Sequence, residues 1–130
     1  MEPRLITDPK LEEVLRELIA REPIFHRTEF GTSREDFESM IEPEFWEVGA
    51  SGRRYSREYV LDALEKRHAS PHADPWDARD FHCLEIAPGN YLLTYTLLKG
   101  TRVTRRATLW RRRPSGWRAV YHQGTIVADA

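Results

Sequence analysis

The sequence predicts an α+β domain in which helices pack on one face of a curved, mainly antiparallel sheet. Apolar residues repeat with a helical period in the first half of the chain, and the period changes to two from Trp76 onward. Short turns join the four strand-like runs of the second half, so neighbouring strands must be antiparallel. The predicted layout is therefore helices first and then a meander.

The length of the chain fits a single hydrophobic core. Its 130 residues, 40% of them hydrophobic, leave no room for a second core of ordinary size. We expect a single domain over residues 1–130, with its core at about 8–127. Because Cys83 is the only cysteine, no intramolecular disulfide can form. With no secretion signal and no apolar run near the roughly 20 residues that span a bilayer, this predicts a cytoplasmic protein.

The first predicted helix begins at Asp8-Pro9, where the carboxylate can accept from free amides and proline sits where no donor is needed. An amphipathic repeat follows and ends near Glu22-Pro23. Thr32 and Glu35 have capping-box spacing for a short second helix. We expect Pro43 to stop that helix.

A short strand over Phe45 to Gly49 and a third helix capped by Ser56 complete the first half. The later strands are predicted at roughly 80–86, 91–98 and 101–112, with the last at 117–127.

Turn lengths predict which side chains share a face of the sheet. A two-residue turn at Lys99-Gly100 would set Leu98 opposite Thr101, and we take the other two hairpin turns as even in length. A single β-bulge would swap the assignment beyond it. The first face then carries His82, Leu84, Ile86, Tyr91, Leu93, Tyr95, Arg106, Thr108, Trp110, Tyr121 and Gln123. Its mixture of aromatic and polar groups is typical of a ligand pocket, and the alternative is a face that is core at one end and solvated at the other.

Four segments carry a family resemblance: Glu47 to Arg57, Tyr91 to Leu97, Arg106 to Trp110, and Trp117 to Thr125. They resemble the bacterial family called domain of unknown function 4440, of the nuclear transport factor 2-like superfamily, which also holds SnoaL-like and ketosteroid isomerase-like proteins. The resemblance covers about residues 10–127. The ending Trp-x-x-x-(Tyr/Phe)-His-Gln-Gly-Thr is its most specific part.

The resemblance implies a cone-shaped fold, with a bent sheet wrapped over three N-terminal helices and a deep pocket between them. It also implies a homodimer formed through the outer face of the sheet. The superfamily includes isomerases, cyclases, dehydratases, immunity proteins and non-enzymatic binding modules, so the fold does not name a reaction.

Glu47 is the candidate general base, because a carboxylate held beside aromatic residues can have a raised pKa. The alternative is an ion pair between Glu47 and Arg54 or Arg106. His122 is the second catalytic candidate, as a proton shuttle, and the alternative is a histidine that only ties down the sheet. His122 and Gln123 are adjacent in a strand, so we expect them on opposite faces.

Arg54 and Arg106 can each bind a carboxylate or phosphate through the planar guanidinium. The candidate ligand-binding residues are Trp46, Arg54, Tyr95, Arg106, Trp110 and Gln123. The chain lacks, at recognisable positions, the two acids and the tyrosine expected of ketosteroid isomerase-like enzymes, which argues against a steroid-type proton transfer.

We predict no metal site and no cofactor. Glu65, His68 and His72 have ligand-like spacing, but Pro71 interrupts the helix that would align them, and we interpret this segment as a solvated loop. Cys83 is interpreted as a buried packing residue.

Charge is divided unevenly along the chain. Residues 1–50 carry 13 acidic and 6 basic residues, whereas residues 51–130 carry 8 and 14. The basic run from Lys99 to Arg118 spreads its arginines over both faces of its strands, which does not fit a nucleic-acid surface. We expect these arginines to pair with the acidic first half.

The leading hypothesis is a protein that binds a small, partly apolar ligand, with an anionic group met by Arg54 or Arg106, and that belongs to the isomerase, dehydratase or hydrolase type. The alternative is a non-enzymatic protein-interaction or immunity module that binds its partner through the sheet. Neither hypothesis involves nucleic acid or a membrane.

Overall fold

The computed structural model describes residues 1–23, 28–69 and 76–128. Its elements follow the predicted order, helices first and then a meander, which confirms the α+β class. The elements are a 3-10 turn at Pro9–Leu11, α1 Glu12–Arg21, α2 Arg34–Glu38, β1 Ile41–Val48, β2 Arg54–Ser56, α3 Arg57–Ala69, β3 Asp77–Ala87, β4 Asn90–Lys99, β5 Arg102–Arg113 and β6 Gly116–Ile126.

Local hydrogen bonds explain where the first two helices begin. The Asp8 carboxylate accepts from the amide of Lys10 at 2.9 Å, which confirms the predicted start. The second cap lies one residue later than predicted. Ser33 Oγ accepts from the amide of Asp36, and the Asp36 carboxylate accepts from the amide of Ser33, both at 3.2 Å. Asp36 completes this capping box because it lies three residues after Ser33, the same spacing as Thr32 to Glu35.

Pro43 does not end the second helix, which stops earlier, at Glu38. It lies instead inside β1, which begins at Ile41, four residues before the predicted strand. The pairing of β1 with β6 is irregular between Ile41 and Trp46, the stretch that contains this proline without an amide hydrogen.

The described strands form a six-stranded sheet in the order β2-β1-β6-β5-β4-β3. The pairing of β1 with β6 is parallel, and the other four pairings are antiparallel. Helices α1, α2 and α3 contribute buried apolar residues to one core with one face of the sheet, which we call the inner face; the opposite face is the outer face. Members of that core include Leu18, Phe37, Leu61, Leu64, Leu93 and Trp110.

Two β-bulges change the predicted face assignment, whereas the turn between β4 and β5 does not. Strand β4 turns into β5 with Lys99 opposite Arg102, a shift of two residues that leaves the faces unchanged. A bulge between Glu85 and Ala87 then reverses β3, so that Cys83, not Leu84, shares a face with Leu93.

A second bulge, where Leu109 and Trp110 meet β6, reverses the last strand. His122 and Gly124 therefore lie on the inner face beside Thr108 and Arg106. The first-face assignment is wrong at four positions: His82, Leu84, Tyr121 and Gln123. Ile86 lies in the bulge itself and has no register partner.

The arginines of β5 form ion pairs with acidic residues of the first half of the chain, as predicted. Both oxygens of the Glu42 carboxylate accept from the Arg113 guanidinium, at 2.8 and 2.9 Å. Further pairs join Arg111 to Glu44, Arg112 to Glu17 and Arg105 to Glu2, at 2.8 to 3.1 Å. The Arg113 contact holds the pKa of Glu42 below its ordinary value. Internal ion pairing thus accounts for much of the charge asymmetry.

Candidate functional site

A polar row crosses the inner face of the sheet. Thr108 of β5 lies opposite His122 of β6, and His122 lies beside Glu47 of β1. One step along the strands, Arg106 lies between Tyr95 and Gly124. Strand β1 and the consecutive strands β4 to β6 therefore bring an acid, an imidazole and a guanidinium together. The inner polar cluster consists of Glu22, Glu47, Tyr95, Arg106, Thr108 and His122.

Glu22 enters this cluster from the C-terminal end of α1. Its carboxylate accepts from Tyr95 Oη at 2.8 Å, from Thr108 Oγ1 at 2.9 Å and from Trp110 Nε1 at 3.0 Å. Burial raises the pKa of Glu22 to about 7, against the lowering effect of these three donors and of Arg106. The carboxyl is thus a buried, fully engaged group that can change its charge near neutral pH.

His122 is held through Nδ1. That nitrogen lies 2.7 Å from Thr108 Oγ1 and 3.7 Å from the nearer oxygen of Glu22. Burial, with a smaller contribution from the positive charge of Arg106, lowers the pKa of His122 to about 3. The imidazole is therefore neutral at physiological pH.

Glu47 carries the unsatisfied group of the cluster. Its Oε1 is buried and has no hydrogen-bond partner among the described residues. Burial raises the pKa of Glu47 to about 7, and the attraction of Arg106 opposes that shift without outweighing it. The expected alternative, an ion pair with Arg54 or Arg106, is not formed within the part of the chain that the structure describes.

The Arg106 guanidinium lies directly over Gly124. A Cβ on Gly124 would lie 2.7 Å from Arg106 Nη1, closer than packing allows, so the side chain's position requires glycine there. Arg106 Nε donates to Thr104 Oγ1 at 3.0 Å. Burial lowers the pKa of Arg106, but an arginine in this setting stays charged.

The structure places five predicted site residues on the inner face: Glu47, Tyr95, Arg106, Trp110 and His122. Trp110 is 1% exposed and donates to Glu22, so it supports the cluster from the core. As predicted, His122 and Gln123 point to opposite faces.

Three predicted ligand-binding residues lie away from the cluster. Trp46 is 43% exposed on the outer face, with its ring centroid 4.8 Å from that of Tyr121. Gln123 also lies on the outer face and accepts from Tyr121 Oη. Arg54 is exposed in the edge strand β2. The bulge in β6 explains why Gln123 lies on the outer face.

Sequence reasoning does not identify Glu22, because Glu22-Pro23 has the pattern of a helix end. A signal was present, since an acidic residue at a helix C-terminus faces the negative end of the helix dipole. A glutamate in that unfavourable position is a candidate for a specific tertiary contact. In this structure Glu22 makes such contacts with Tyr95, Thr108 and Trp110.

The outer face differs in character. A cavity of about 600 Å³ lies between the N-terminal residues and β3 to β6, and Glu22, Glu47 and His122 do not line it. Most of its lining comes from the outer face, for example Thr94, Arg105 and Gln123, and Tyr95 and Arg106 also contribute. The inner polar cluster is the stronger candidate site, because buried ionisable groups require a partner and an open cavity does not.

In the described residues, no group of three or more metal-binding side chains is close enough to hold an ion. Glu65 pairs with Arg34 at 3.3 Å, and His68 packs against the ring of Phe37. His72 lies outside the described residues. Burial raises the pKa of the Cys83 thiol to about 11, so it is protonated at neutral pH.

Comparisons with solved structures give the fold. A candidate dehydratase of the NTF2-like family from Streptomyces avermitilis superposes with a TM-score of 0.68 at 16% identity, covering 91% of this chain and 99% of that one. A candidate ketosteroid isomerase from Parabacteroides distasonis ATCC 8503 gives 0.64 at 15% identity, covering 94% and 95%.

An NTF2-like protein of unknown function from Silicibacter pomeroyi gives a TM-score of 0.63 at 15% identity, covering 88% of this chain and 97% of that one. No protein-family model matches the sequence, and no curated protein does. The chain therefore has the nuclear transport factor 2-like fold, and the narrower resemblance to domain of unknown function 4440 stays a prediction. No helix in the described ranges is both long and apolar enough to cross a membrane.

Proposed function

We propose that the protein binds a small, partly apolar organic acid at the inner polar cluster, and that Glu47 is the general base of an isomerase- or dehydratase-type proton transfer. The observation that carries the proposal is the buried Glu47 Oε1, which has no hydrogen-bond partner in the described residues. A buried acceptor without a donor costs free energy, and a ligand that supplies the donor or the proton would remove that cost.

The chemistry of Glu47 supports a role as base. A general base works best when its pKa lies near the working pH, and burial raises the pKa of this carboxyl to about 7. At neutral pH a substantial fraction of Glu47 is ionised and ready to accept a proton. The neutral imidazole of His122, adjacent in the row, is available to exchange a hydrogen bond with the same ligand.

Arg106 supports an anionic ligand. Its Nε is taken by Thr104, and no ion pair satisfies its charge within the described ranges. A planar, partly buried guanidinium offers two parallel N–H donors to a carboxylate. The rings of Tyr95 and Phe81, stacked at 5.0 Å, give the apolar part of the ligand a surface to pack against.

Ligand binding is tested with matched probes. Phenylacetate and its uncharged analogue phenylacetamide are titrated into the protein by calorimetry, and we expect the acid to bind at least about tenfold more tightly. Arg106→Gln should abolish the difference, whereas Arg102→Gln, exposed on the same strand, should preserve it. Equal affinity for the two probes would contradict the proposed anion site.

Proton transfer is tested in deuterium oxide. The protein is incubated with a library of small organic acids, and deuterium gain is followed by mass spectrometry. For an acid that exchanges, Glu47→Gln should slow exchange by about 10²–10⁴-fold with binding retained. Glu44→Gln, on the same strand with a side chain 58% exposed, is the control and should exchange normally. Exchange at the wild-type rate in Glu47→Gln would refute the role of Glu47.

We also propose that two copies of the chain associate through the outer face. An apolar row crosses that face over five strands: Leu84, Leu92, Leu109, Tyr121 and Trp46 are successive register partners. Leu84 is 48% exposed and the neighbouring Ile86 is 58% exposed. A continuous apolar strip of this kind marks an interaction surface.

A solved structure adds support for association. A candidate calcium/calmodulin-dependent kinase II association domain from Exiguobacterium sibiricum has a TM-score of 0.65 at 17% identity, covering 100% of this chain and 99% of that one. Sedimentation velocity should find a dimer that Ile86→Lys dissociates. Tyr59→Lys, which changes an exposed aromatic residue on α3, is the control and should leave the dimer intact. A wild-type monomer at high protein concentration would exclude the proposed association.

A further inference from the structure

A hydrogen-bonded chain links Glu22 to His122 through one hydroxyl. Glu22 Oε2 lies 2.9 Å from Thr108 Oγ1, which lies 2.7 Å from His122 Nδ1. Glu22 Oε2 also accepts from Tyr95 Oη, and the indole of Trp110, which can only donate, occupies Oε1. When it is ionised, the Glu22 carboxylate is an acceptor toward all three neighbours.

The direction of this chain follows from counting protons. A hydroxyl has one hydrogen, and Thr108 uses it on the ionised Glu22. Thr108 Oγ1 can therefore only accept from His122, which requires a hydrogen on Nδ1. In a neutral imidazole the other nitrogen, Nε2, then carries a lone pair. Within the described residues, no hydrogen bond engages Nε2.

We infer that Glu22 is a positioning residue that acts through Thr108: it holds His122 in the tautomer with its proton on Nδ1, so that Nε2 faces a ligand as a hydrogen-bond acceptor. The ligand group that meets Nε2 is then a donor, such as a hydroxyl. The ligand preference rests on the proposed function, whereas the tautomer is a property of the ligand-free protein.

The groups around His122 are consistent with this arrangement. Glu22 comes from α1, Tyr95 from β4, Arg106 from β5 and Glu47 from β1. Burial, with a smaller contribution from Arg106, lowers the pKa of His122, so the ring stays neutral and its single proton lies on one of the two nitrogens. The negative charge of Glu22, transmitted by the Thr108 hydroxyl, decides that choice.

The tautomer is read directly by NMR. In uniformly ¹⁵N,¹³C-labelled protein, assigned through bonds, long-range ¹H–¹⁵N spectra show which ring nitrogen of His122 is protonated. Above pH 8, where Glu22 with its pKa raised by burial to about 7 is ionised, we expect the proton on Nδ1. A wild-type spectrum with the proton on Nε2 would overturn the inference without any variant.

Variants test each link. Thr108→Val removes the hydroxyl at nearly constant volume, and Glu22→Gln supplies an amide that can donate back along the chain. Both should move His122 toward the Nε2-protonated tautomer, and Thr108→Ser should restore the wild-type spectrum. A tautomer that is unchanged in Glu22→Gln would refute the positioning role. Because Glu22→Gln and Thr108→Ser are both conservative, the test does not depend on Thr108→Val folding.

The ligand preference is tested with an isosteric pair. Mandelate carries a hydroxyl where 2-phenylpropanoate carries a methyl group, and we expect mandelate to bind roughly tenfold more tightly. Equal affinity would refute Nε2 as an acceptor for the ligand. Failure of both acids to bind, with the proton still on Nδ1, would instead refute the proposed organic-acid site and leave the positioning role intact.

Discussion

Alternate residues of β5 and β6 lie on two faces of one sheet, and the two faces differ in how they treat polar groups. On the inner face, Thr108 and His122 form a hydrogen-bonded chain with Glu22, and one buried oxygen of Glu47 has no donor among the described residues. On the outer face, Tyr121 lies in an exposed apolar row. The inner face thus holds desolvated ionisable groups, whereas the outer face carries a row of apolar side chains that are partly exposed.

The largest expected difference between the faces comes from a pair of tryptophans. Trp110→Ala removes a side chain that is 1% exposed and strips Glu22 of a donor, so we expect a loss of about 4 kcal/mol in unfolding free energy. Trp46→Ala on the outer face should cost about 1 kcal/mol or less, because the side chain is 43% exposed.

Urea unfolding of both variants measures this difference. The Ile86→Lys background, designed to be monomeric, keeps dimer dissociation out of the comparison. Similar losses for the two tryptophans would contradict the distinction between a core-supported inner face and an open outer face.

The order of the helices and long strands could be predicted from the sequence, but β2 and the start of β1 could not, and the faces could be predicted only in part. Period, caps and turn residues predict the order of helices and strands, because those signals are local. The faces of β3 and β6 depend on bulges after Glu85 and at Leu109, which no local residue pattern announces. The predicted face of Tyr95 and Arg106 is confirmed, because the observed register of β4 and β5 differs from the predicted one by an even number of residues.

The same limit applies to the candidate site. Glu47 and His122 could be singled out as ionisable groups beside aromatic residues, but Glu22 could not. Its role depends on Tyr95, Thr108 and Trp110, which lie 73 to 88 residues away in sequence. Such contacts follow from tertiary packing and not from spacing along the chain.

A smaller effect is expected in the pH dependence of stability. The pKa of Glu47 is raised by burial from 4.5 to about 7, so the folded state holds a proton that the unfolded state releases. Its contribution is fully present below pH 4.5 and is lost as the pH rises through about 7. Glu47→Gln should remove this loss. Between pH 5 and pH 8, the unfolding free energy of the variant should therefore fall by on the order of 2 kcal/mol less than that of wild type.

Thermal and urea unfolding at both pH values measure the shift. Glu44→Gln, exposed on the same strand, should keep the wild-type profile. His122 contributes with the opposite sign, because burial lowers its pKa to about 3 and stability then rises with pH up to its ordinary value of 6.5. Because His122 is present in both proteins, its contribution cancels when the pH profile of Glu47→Gln is compared with that of wild type. A Glu47→Gln profile parallel to wild type would show that Glu47 is not desolvated.

The smallest change tests the two faces with adjacent residues of β6. Gly124 lies under the Arg106 guanidinium, where an added Cβ would meet the flexible end of that side chain at 2.7 Å. Gly124→Ala should therefore move the guanidinium at a cost within about 1 kcal/mol of stability. Because a carboxylate needs a well-placed guanidinium, phenylacetate should bind roughly tenfold more weakly. Gln123→Ala, one residue earlier on the outer face, should leave that affinity unchanged. Equal affinities in the two variants would place the anion site away from Arg106, and with it the ligand away from the inner face.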